Sequence, residues 1–170
     1  MNPGRTKTLT LIRHAKSSWR DPCLTDFERP LNQRGMRDAP RIAAALSREM
    51  IAFDRVLCSD AQRAKQTLSL LKPPLAIIEA IVEYRQDLYG ASARHLLSCL
   101  QEQPDFTHEV VLLAHNPGVE ELANYLSNVI IGPMPTCCVV RLRFETSTWR
   151  ELSPASGEVV LQLKPKSLSR

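Results

Sequence analysis

Two apolar runs that each end in a histidine place the strongest constraint on the fold of this chain. The first run, at Thr8–Ile12, is rich in β-branched residues and stops at Arg13-His14; the second, at Glu109–Ala114, stops at His115. Apolar runs of this length are typical of strands that are buried in a parallel sheet. Because open α/β sheets bind ligands at the carboxyl ends of their strands, both histidines are expected at one rim of such a sheet.

The rest of the chain alternates between helical and extended patterns. Helices are predicted at 36–50, 59–71, 92–103 and 116–126, and further strands at 53–58, 76–78, 137–144, 147–152 and 158–163, the last two as an edge hairpin. Asn32 and Ser92 are expected to cap helices. Residues 79–90 are expected to be rich in loop and residues 164–170 to form a tail. This order predicts one domain over residues 1–170, a three-layer α/β/α sandwich whose mostly parallel sheet has an antiparallel edge.

Composition excludes several classes of function. The chain is 44% apolar and 24% charged, as in an ordinary globular protein, and its net charge of +4 comes without a dense basic stripe, so no nucleic-acid partner is expected. No run is long and apolar enough to span a membrane. The seven residues before the first strand contain no apolar signal segment, which predicts a cytoplasmic protein.

The cysteines and histidines lack the spacing of a metal site. There are five cysteines, an odd number, without a C-x-x-C motif, and the four histidines show no H-E-x-x-H or i,i+4 pairing. Reduced thiols are the expected state in a cytosolic protein. We therefore expect neither a structural nor a catalytic metal.

The residues at the predicted rim suit the chemistry of phosphoryl groups. His14 is the candidate nucleophile, provided that its ring is neutral, and neighbouring arginines favour the neutral ring. Arg13 and Arg63 are candidate clamps for phosphate oxygens, with Arg63 near the beginning of a helix, where anions are favoured. His115 can donate a hydrogen bond to the transferring phosphoryl group, and Ser17 can add a hydroxyl donor.

A cysteine nucleophile is the competing chemistry, and the sequence disfavours it. Cysteine phosphatases need Cys, five residues and then Arg, around a glycine-bearing loop whose amides face the phosphate. The spacing occurs at 23–29 and 137–143, but the first segment carries carboxylates that repel phosphate and the second is a predicted strand. No nucleotide-binding glycine motif occurs either.

An ordered set of motifs resembles the histidine phosphatase superfamily, with its phosphoglycerate mutase-like fold, and within it the SixA-type phosphohistidine phosphatase branch. The matching segments are Arg13-His14-Ala15-Lys16-Ser17-Ser18-Trp19, Arg29-Pro30-Leu31 with Gly35, Cys58-Ser59-x-Ala61-x-Arg63-Ala64-x-x-Thr67, Asp87-Leu88-Tyr89, His115-Asn116-Pro117-Gly118 and Met134-Pro135-Thr136. They follow the order of the family, and a weaker match lies at 165–168. The order is more specific than any one motif.

The resemblance implies a role for each matching position. His14 would become phosphohistidine transiently, while Arg13, Arg63 and His115 would surround the phosphoryl group, and water would then release phosphate. No metal or organic cofactor is implied.

One departure from the pattern concerns the proton donor. Larger relatives carry a glutamate between the segments of Arg63 and His115, where this chain offers Glu83 and Asp87 without a clear match; Asp87 is the preferred candidate. An alkoxide needs strong acid assistance to leave phosphorus, whereas imidazole is a better leaving group. A weak or absent acid therefore favours phosphohistidine as the substrate.

The expected function is a phosphatase that removes phosphate from phosphohistidine on a protein, such as a phosphotransfer domain in signalling. Two alternatives stay open at this point. One is a phosphomonoesterase that acts on a small phosphorylated metabolite with the same chemistry. The other is a non-catalytic phosphate-binding module, which the presence of His14 argues against.

Overall fold

The computed structural model describes residues 6–168, and its framework is a six-stranded mixed sheet. The strands are β1 (Lys7–Arg13), β2 (Arg55–Ser59), β3 (Val82–Arg85), β4 (Glu109–Ala114), β5 (Val139–Phe144) and β6 (Glu158–Leu163). Their order in the sheet is β3-β2-β4-β1-β5-β6. The first four strands of that order are parallel, and β5 and β6 add antiparallel pairs at one edge. The predicted mostly parallel sheet with an antiparallel edge is confirmed.

Helices cover both faces of this sheet. Those in the described part of the chain are α1 (Gln33–Ser47), α2 (Gln62–Leu71), α3 (Ala93–Gln101) and α4 (Gly118–Leu126). α1 packs against α2 on one face and α3 against α4 on the other, and each pair covers its own buried apolar cluster. The result is the three-layer α/β/α arrangement that the alternating pattern predicts.

The predicted caps begin two of the helices. The Asn32 side chain accepts a hydrogen bond from the amide of Gly35 at the beginning of α1, and Ser92 does the same for His95 at the beginning of α3. Gly35 also approaches the chain after β1 closely, because a Cβ there would lie 2.3 Å from the carbonyl oxygen of Lys16. α1 is thereby packed directly against the loop that follows His14.

The predicted strand at 76–78 is wrong, and the strand that the structure forms lies a few residues later. The apolar triplet at 76–78 forms no strand: Ile77 is buried in the cluster beneath α1 and α2, whereas Ile78 is 62% exposed. The strand at this edge of the parallel part of the sheet is instead β3, Val82–Arg85, which lies inside the region predicted to be loop. β3 is a short edge strand that carries charged residues, so its sequence lacks the apolar signal of a central strand.

The chain after β5 also differs from prediction. Residues 147–152 form no strand; a 3₁₀ helix at Trp149–Glu151 buries the Trp149 indole, whose nitrogen donates to the Thr107 carbonyl over 2.8 Å. β6 pairs directly with β5 rather than with that segment. The predicted tail forms a 3₁₀ helix at Pro165–Ser167 and buries Pro165, while residues 1–5 and 169–170 lie outside the described residues.

The parallel strands deliver their carboxyl ends to one edge of the sheet. β1, β4 and β2 are neighbours there, and they are followed by His14, His115 and the junction at Ser59. None of the described helices is long and apolar enough to cross a lipid bilayer.

Candidate active site

Two imidazole rings meet at the carboxyl edge of the parallel strands. His14 follows β1 and His115 follows β4, in a register that pairs Arg13 with Ala114. The amide of His14 donates to the Ala114 carbonyl over 3.2 Å, so the strand pairing continues to the base of the rings. The ring centroids lie 4.8 Å apart with their planes tilted by 52°. The structure thus brings together the two histidines that the sequence places at one rim.

Hydrogen bonding fixes the tautomer of the His14 ring. Nδ1 lies 2.7 Å from the carbonyl oxygen of Ala15, which can only accept, so Nδ1 carries the proton. Nε2 therefore offers its lone pair, which accepts a hydrogen bond from Nε of Arg63 over 3.2 Å. Burial is the main cause that lowers the pKa of His14 to about 4. The hydrogen bond to Ala15 raises this pKa, whereas the positive charges of Arg63 and Arg13 lower it further. The ring is neutral at pH 7, as a nucleophile requires.

Contacts from three segments hold Arg63 beside His14. Arg63 lies in the first turn of α2, and the hydroxyl of Thr67 donates to its carbonyl over 2.7 Å while accepting from the Ala15 amide over 2.9 Å. This hydroxyl ties α2 to the loop that carries His14. Besides its bond to His14, the guanidinium donates to the backbone carbonyl of Asp26 and, over 2.8 Å, to the carboxylate of Asp26. Its position near the N-terminus of α2 adds the helix dipole to the positive field.

His115 presents one ring nitrogen to a partner and leaves the other unpaired. Its Nε2 lies 2.7 Å from Oγ of Ser59, which itself accepts a long bond from the Ala61 amide over 3.4 Å. When the Ser59 hydroxyl donates to Nε2, the proton of the ring lies on Nδ1. Burial, followed by the charges of the neighbouring His14 and Arg63, lowers the pKa of His115 to about 3. The ring is neutral and can act as a hydrogen-bond donor through Nδ1.

Two buried nitrogens in this cluster have no hydrogen-bond partner among the described residues: Nε of Arg13 and Nδ1 of His115. Arg13 uses another nitrogen to donate to the Met134 carbonyl over 2.8 Å, which fixes the direction of its side chain. Buried polar groups are almost always paired, so two unpaired donors beside an unprotonated imidazole are suited to bind the oxygens of an anion. Chemically, the cluster offers a nucleophile surrounded by donors and positive charge.

Ser17, the predicted hydroxyl donor, is buried near this cluster but is engaged elsewhere. Its hydroxyl oxygen accepts a hydrogen bond from the guanidinium of Arg29, and its backbone forms a short antiparallel bridge with Leu31. Arg29 in turn stacks on the ring of Trp19, with the guanidinium carbon 3.2 Å from the ring centroid. Ser17 therefore holds the loop after β1 together, and its role in phosphate binding stays a prediction.

The two carboxylates predicted as proton donors are held in ion pairs. Asp87 accepts two hydrogen bonds from Arg85, over 2.9 and 2.6 Å, and lies 2.8 Å from Nε2 of His95. The bond from Arg85 is the main cause that holds the pKa of Asp87 well below its usual range. Glu83 pairs with Arg55 and lies 3.7 Å from Arg85. An ionised carboxylate without a hydrogen bond to the imidazole pair is unsuited to donate a proton there, which argues against Asp87.

A carboxylate that the sequence analysis missed occupies the site instead. Asp26, in the loop between β1 and α1, bonds to Arg63 and accepts a hydrogen bond from the hydroxyl of Tyr89 over 2.7 Å. The Tyr89 ring also packs edge-on against His115, with centroids 5.4 Å apart. The only sequence signal for Asp26 was its position three residues before Arg29 in a matching motif. Nothing local in the sequence showed that its carboxylate reaches a helix 37 residues away.

One group of metal-ligating side chains occurs in the described residues, and it includes neither His14 nor His115. It comprises Asp87, His95 and Cys99, whose ligand atoms lie within 4.8 Å of one another. The guanidinium of Arg85 already occupies both oxygens of Asp87, and a bound cation would have to displace it. The group is thus a satisfied ion-pair network as it stands.

The four buried cysteines do not offer a competing nucleophile at this rim. All five are free, and burial raises the pKa of Cys58 far above its usual range and that of Cys137 to about 12. A buried thiol that stays protonated is inert. Cys137 contributes its backbone instead, because its amide donates to the carbonyls of Arg13 and His14.

Sequence comparisons agree with this geometry. A profile of the histidine phosphatase superfamily (branch 1) matches residues 9–124. An uncharacterized chloroplastic protein of Arabidopsis thaliana is 33% identical over 161 residues, which cover 89% of this chain and 73% of that protein. An uncharacterized protein of Mycobacterium tuberculosis is 30% identical over 159 residues, which cover 88% of this chain and 96% of that protein.

Solved structures share the fold over nearly the whole chain. A protein of Nakamurella multipartitia assigned as the phosphohistidine phosphatase SixA is 26% identical, with a TM-score of 0.79 over 94% of this chain and 96% of that one. The protein histidine phosphatase SixA, solved in complex with tungstate, has a TM-score of 0.80 over 95% and 99% of the two chains. At 22% identity, this second likeness concerns the fold alone.

Proposed function

The chain belongs to the histidine phosphatase superfamily, which supports phosphatase activity, and we propose that it removes phosphate from phosphohistidine on a protein through a covalent intermediate on His14. One observation carries this proposal: unpaired donors of Arg13 and His115 lie in the same cluster as the unprotonated Nε2 of His14. A neutral imidazole is a nucleophile for phosphorus, and fixed donors stabilise the charge on the transferring group.

The first step transfers the phosphoryl group to His14. The lone pair of Nε2 forms a bond to phosphorus while the bond between phosphorus and the substrate nitrogen breaks. The Nε–H group of Arg63, which now bonds to Nε2, turns to a phosphoryl oxygen and releases the lone pair. Nδ1 of His14 keeps its proton throughout, because the carbonyl of Ala15 holds it, and thereby shares the positive charge that develops on the ring.

The surrounding donors act on the equatorial oxygens of the phosphoryl group. The guanidiniums of Arg13 and Arg63 supply two positive charges, and Nδ1 of His115 supplies a neutral donor. Phosphoryl transfer proceeds through a loose transition state with charge on these oxygens, so positioning and electrostatic stabilisation account for most of the catalysis. In the second step water attacks phosphorus, and the electron pair of the broken bond returns to Nε2.

The substrate is inferred from the leaving group that the site can release. No carboxylic acid that is protonated at neutral pH bonds to the imidazole pair in residues 6–168, and Asp87 is committed to Arg85 and His95. An imidazole leaves phosphorus with little acid assistance, whereas an alkoxide does not. The likeness to the Nakamurella multipartitia structure, which is named for the phosphohistidine phosphatase SixA, supports the same choice.

Phosphate loss from a histidine-phosphorylated protein tests the proposal. The purified chain is incubated with a protein that carries acid-labile, base-stable phosphate, and in parallel with a panel of sugar and lipid-derived phosphates. We expect release from the phosphoprotein by the wild-type chain and none by His14→Ala. Faster release from one of the metabolites would favour the small-molecule phosphomonoesterase, and phosphate binding without turnover would favour the binding module. The cytoplasmic location stays a prediction that fractionation can test.

A further inference from the structure

Within residues 6–168, the carboxylate of Asp26 is the one acidic group that shares a hydrogen-bond partner with the proposed nucleophile. Nε of Arg63 bonds to His14, and the NH2 group of the same guanidinium bonds to the Asp26 carboxylate over 2.8 Å. The side chain of Asp26 is 45% exposed, whereas that of Arg63 is 7% exposed. The carboxylate therefore lies between the buried imidazole and bulk water.

We propose that Asp26 is the catalytic carboxylate that orients the water molecule attacking phospho-His14 and accepts its proton. The proposal rests on the proposed function and assigns a residue to its second step. A phosphoryl group on Nε2 of His14 would lie beside the Arg63 guanidinium, so the carboxylate on that guanidinium faces the same space. Its exposure gives water direct access to this carboxylate.

Three groups hold Asp26 in this place. Tyr89 donates its hydroxyl to the same carboxylate oxygen that Arg63 contacts, and Arg29 pairs with the other oxygen. The Tyr89 ring packs against both His115 and Phe27, so its hydroxyl is fixed relative to the imidazole pair. A carboxylate anchored at both oxygens is oriented before substrate arrives, as efficient catalysis requires.

The same partners keep Asp26 ionised. The hydrogen bond from Tyr89, with the charges of Arg63 and Arg29, lowers the pKa of Asp26 below its usual value. An ionised carboxylate accepts a proton and cannot donate one, so it serves the hydrolysis step and not the departure of the first leaving group. With Asp26 ionised, the site can hydrolyse phospho-His14 in the second step. In the first step it favours substrates whose leaving group needs no acid.

The step is balanced without any further reactant. The oxygen of water forms a bond to phosphorus, the bond from phosphorus to Nε2 of His14 breaks, and its electron pair stays on Nε2. One proton of the water passes to a carboxylate oxygen of Asp26, which later releases it to solvent. Because the transition state is loose, the carboxylate mainly orients the water, and the proton moves late, so a low pKa does not prevent this role.

Rapid mixing of Asp26→Asn with an activated aryl phosphate tests the proposal, with Asp87→Asn as the matched control. We expect the Asp26 variant to release about one equivalent of the phenol quickly and then to turn over about 100-fold more slowly than wild type. Acid-labile, base-stable phosphate should accumulate on the variant protein. The Asp87 variant should behave like wild type, because Arg85 and His95 hold its carboxylate and it makes no hydrogen bond to His14 or His115.

Two results would overturn the inference: wild-type turnover by Asp26→Asn, or slow turnover without accumulated phosphoenzyme. Tyr89→Phe provides a second variant, which keeps the ring and removes the hydroxyl that orients Asp26. It should accumulate phosphoenzyme during slow turnover, though less than Asp26→Asn. If Asp26→Asn fails to fold, Tyr89→Phe alone tests the inference, and its turnover without accumulated phosphoenzyme would overturn it. An inactive wild-type chain, or an active His14→Ala, would contradict the proposed function instead, so the two failures are distinguishable.

Discussion

The molecule contains two clusters built around histidine, and they differ in how completely their polar atoms are paired. At the rim of β1 and β4, His14 and His115 are buried, and two nitrogens of the cluster have no partner in the described chain. In the network after β3, His95 and Asp87 are exposed, and Arg85 saturates the carboxylate. Both contain an imidazole, a guanidinium and a carboxylate.

The difference shows what distinguishes a reactive site from an ordinary charged surface. Exposed groups pair with each other or with water, at a gain of at most about 1 kcal/mol for each ion pair. Buried donors without partners cost about 1–3 kcal/mol each, and a fold retains such a cost where a ligand compensates for it. The imidazole pair therefore has the features of the proposed phosphoryl site, whereas the His95 network has those of local stabilisation.

The largest expected difference between the clusters is in activity. His14→Ala removes the nucleophile and should lower kcat with an activated aryl phosphate by about 10³-fold or more. His95→Ala changes only the exposed network and should leave kcat within about twofold of wild type, as expected for a surface change. Steady-state assays of both variants measure this difference in kcat. A comparable loss of kcat in the two variants would contradict the distinction between the clusters.

The second expected difference is in the pH dependence of stability. The pKa of His14 is lowered from 6.5 to about 4 in the folded chain, so below pH 6.5 the unfolded chain binds the proton and the folded chain does not. The free energy of unfolding should therefore fall by about 3 kcal/mol through this group as the pH decreases from 6.5 to about 4. Urea unfolding at a series of pH values should show a shallower decrease for His14→Gln than for wild type, and an equal decrease in the two would contradict this.

The third difference concerns the two guanidiniums that pair with an aspartate. Arg63→Gln removes a charge from the phosphoryl site and should lower kcat by about 100-fold, with a smaller change in KM, because the charge acts mainly in the transition state. Arg85→Gln leaves the imidazole pair untouched, so both constants should stay at the wild-type level. If the Arg63 variant changed KM alone, Arg63 would bind the substrate without assisting the transfer.

The smallest expected effect concerns Ser59, the residue that positions the ring of His115. Ser59→Ala removes the hydroxyl that bonds to His115 and should cost about 1 kcal/mol of stability. It should lower kcat by about tenfold and leave KM unchanged, since a misoriented His115 still permits substrate binding. Ser59→Thr retains the hydroxyl and should restore most of kcat. A Thr variant as impaired as the Ala variant would contradict this role.

The sequence predicted the features of the fold and site that depend on strong local patterns. The strands that end at Arg13 and Ala114 are nearly continuous apolar runs, and two strands of that kind in one parallel sheet must end at the same rim. The helix caps at Asn32 and Ser92 are equally local, since each side chain binds an amide three residues later. These features needed no knowledge of distant contacts.

The features that were missed depend on contacts between distant segments. β3 is a charged edge strand whose register is set by its pairing with β2. Because its own sequence has no apolar pattern, the strand was predicted at the apolar triplet 76–78 instead. Trp149 lies in a 3₁₀ helix, where its buried indole donates a hydrogen bond to the Thr107 carbonyl. The local sequence does not show this contact, because Thr107 is distant along the chain. Asp26 reaches the site only through Arg63 and Tyr89, each more than thirty residues away.

The central claim is that two imidazoles and two guanidiniums surround one phosphoryl group bound to His14. A crystal structure of the chain with vanadate, which mimics the transferring phosphoryl group, tests it most directly. We predict vanadium within bonding distance of Nε2 of His14, with its oxygens on Arg13, Arg63 and Nδ1 of His115. Vanadate bound to a cysteine, or bound elsewhere with this cluster unchanged, would contradict the account.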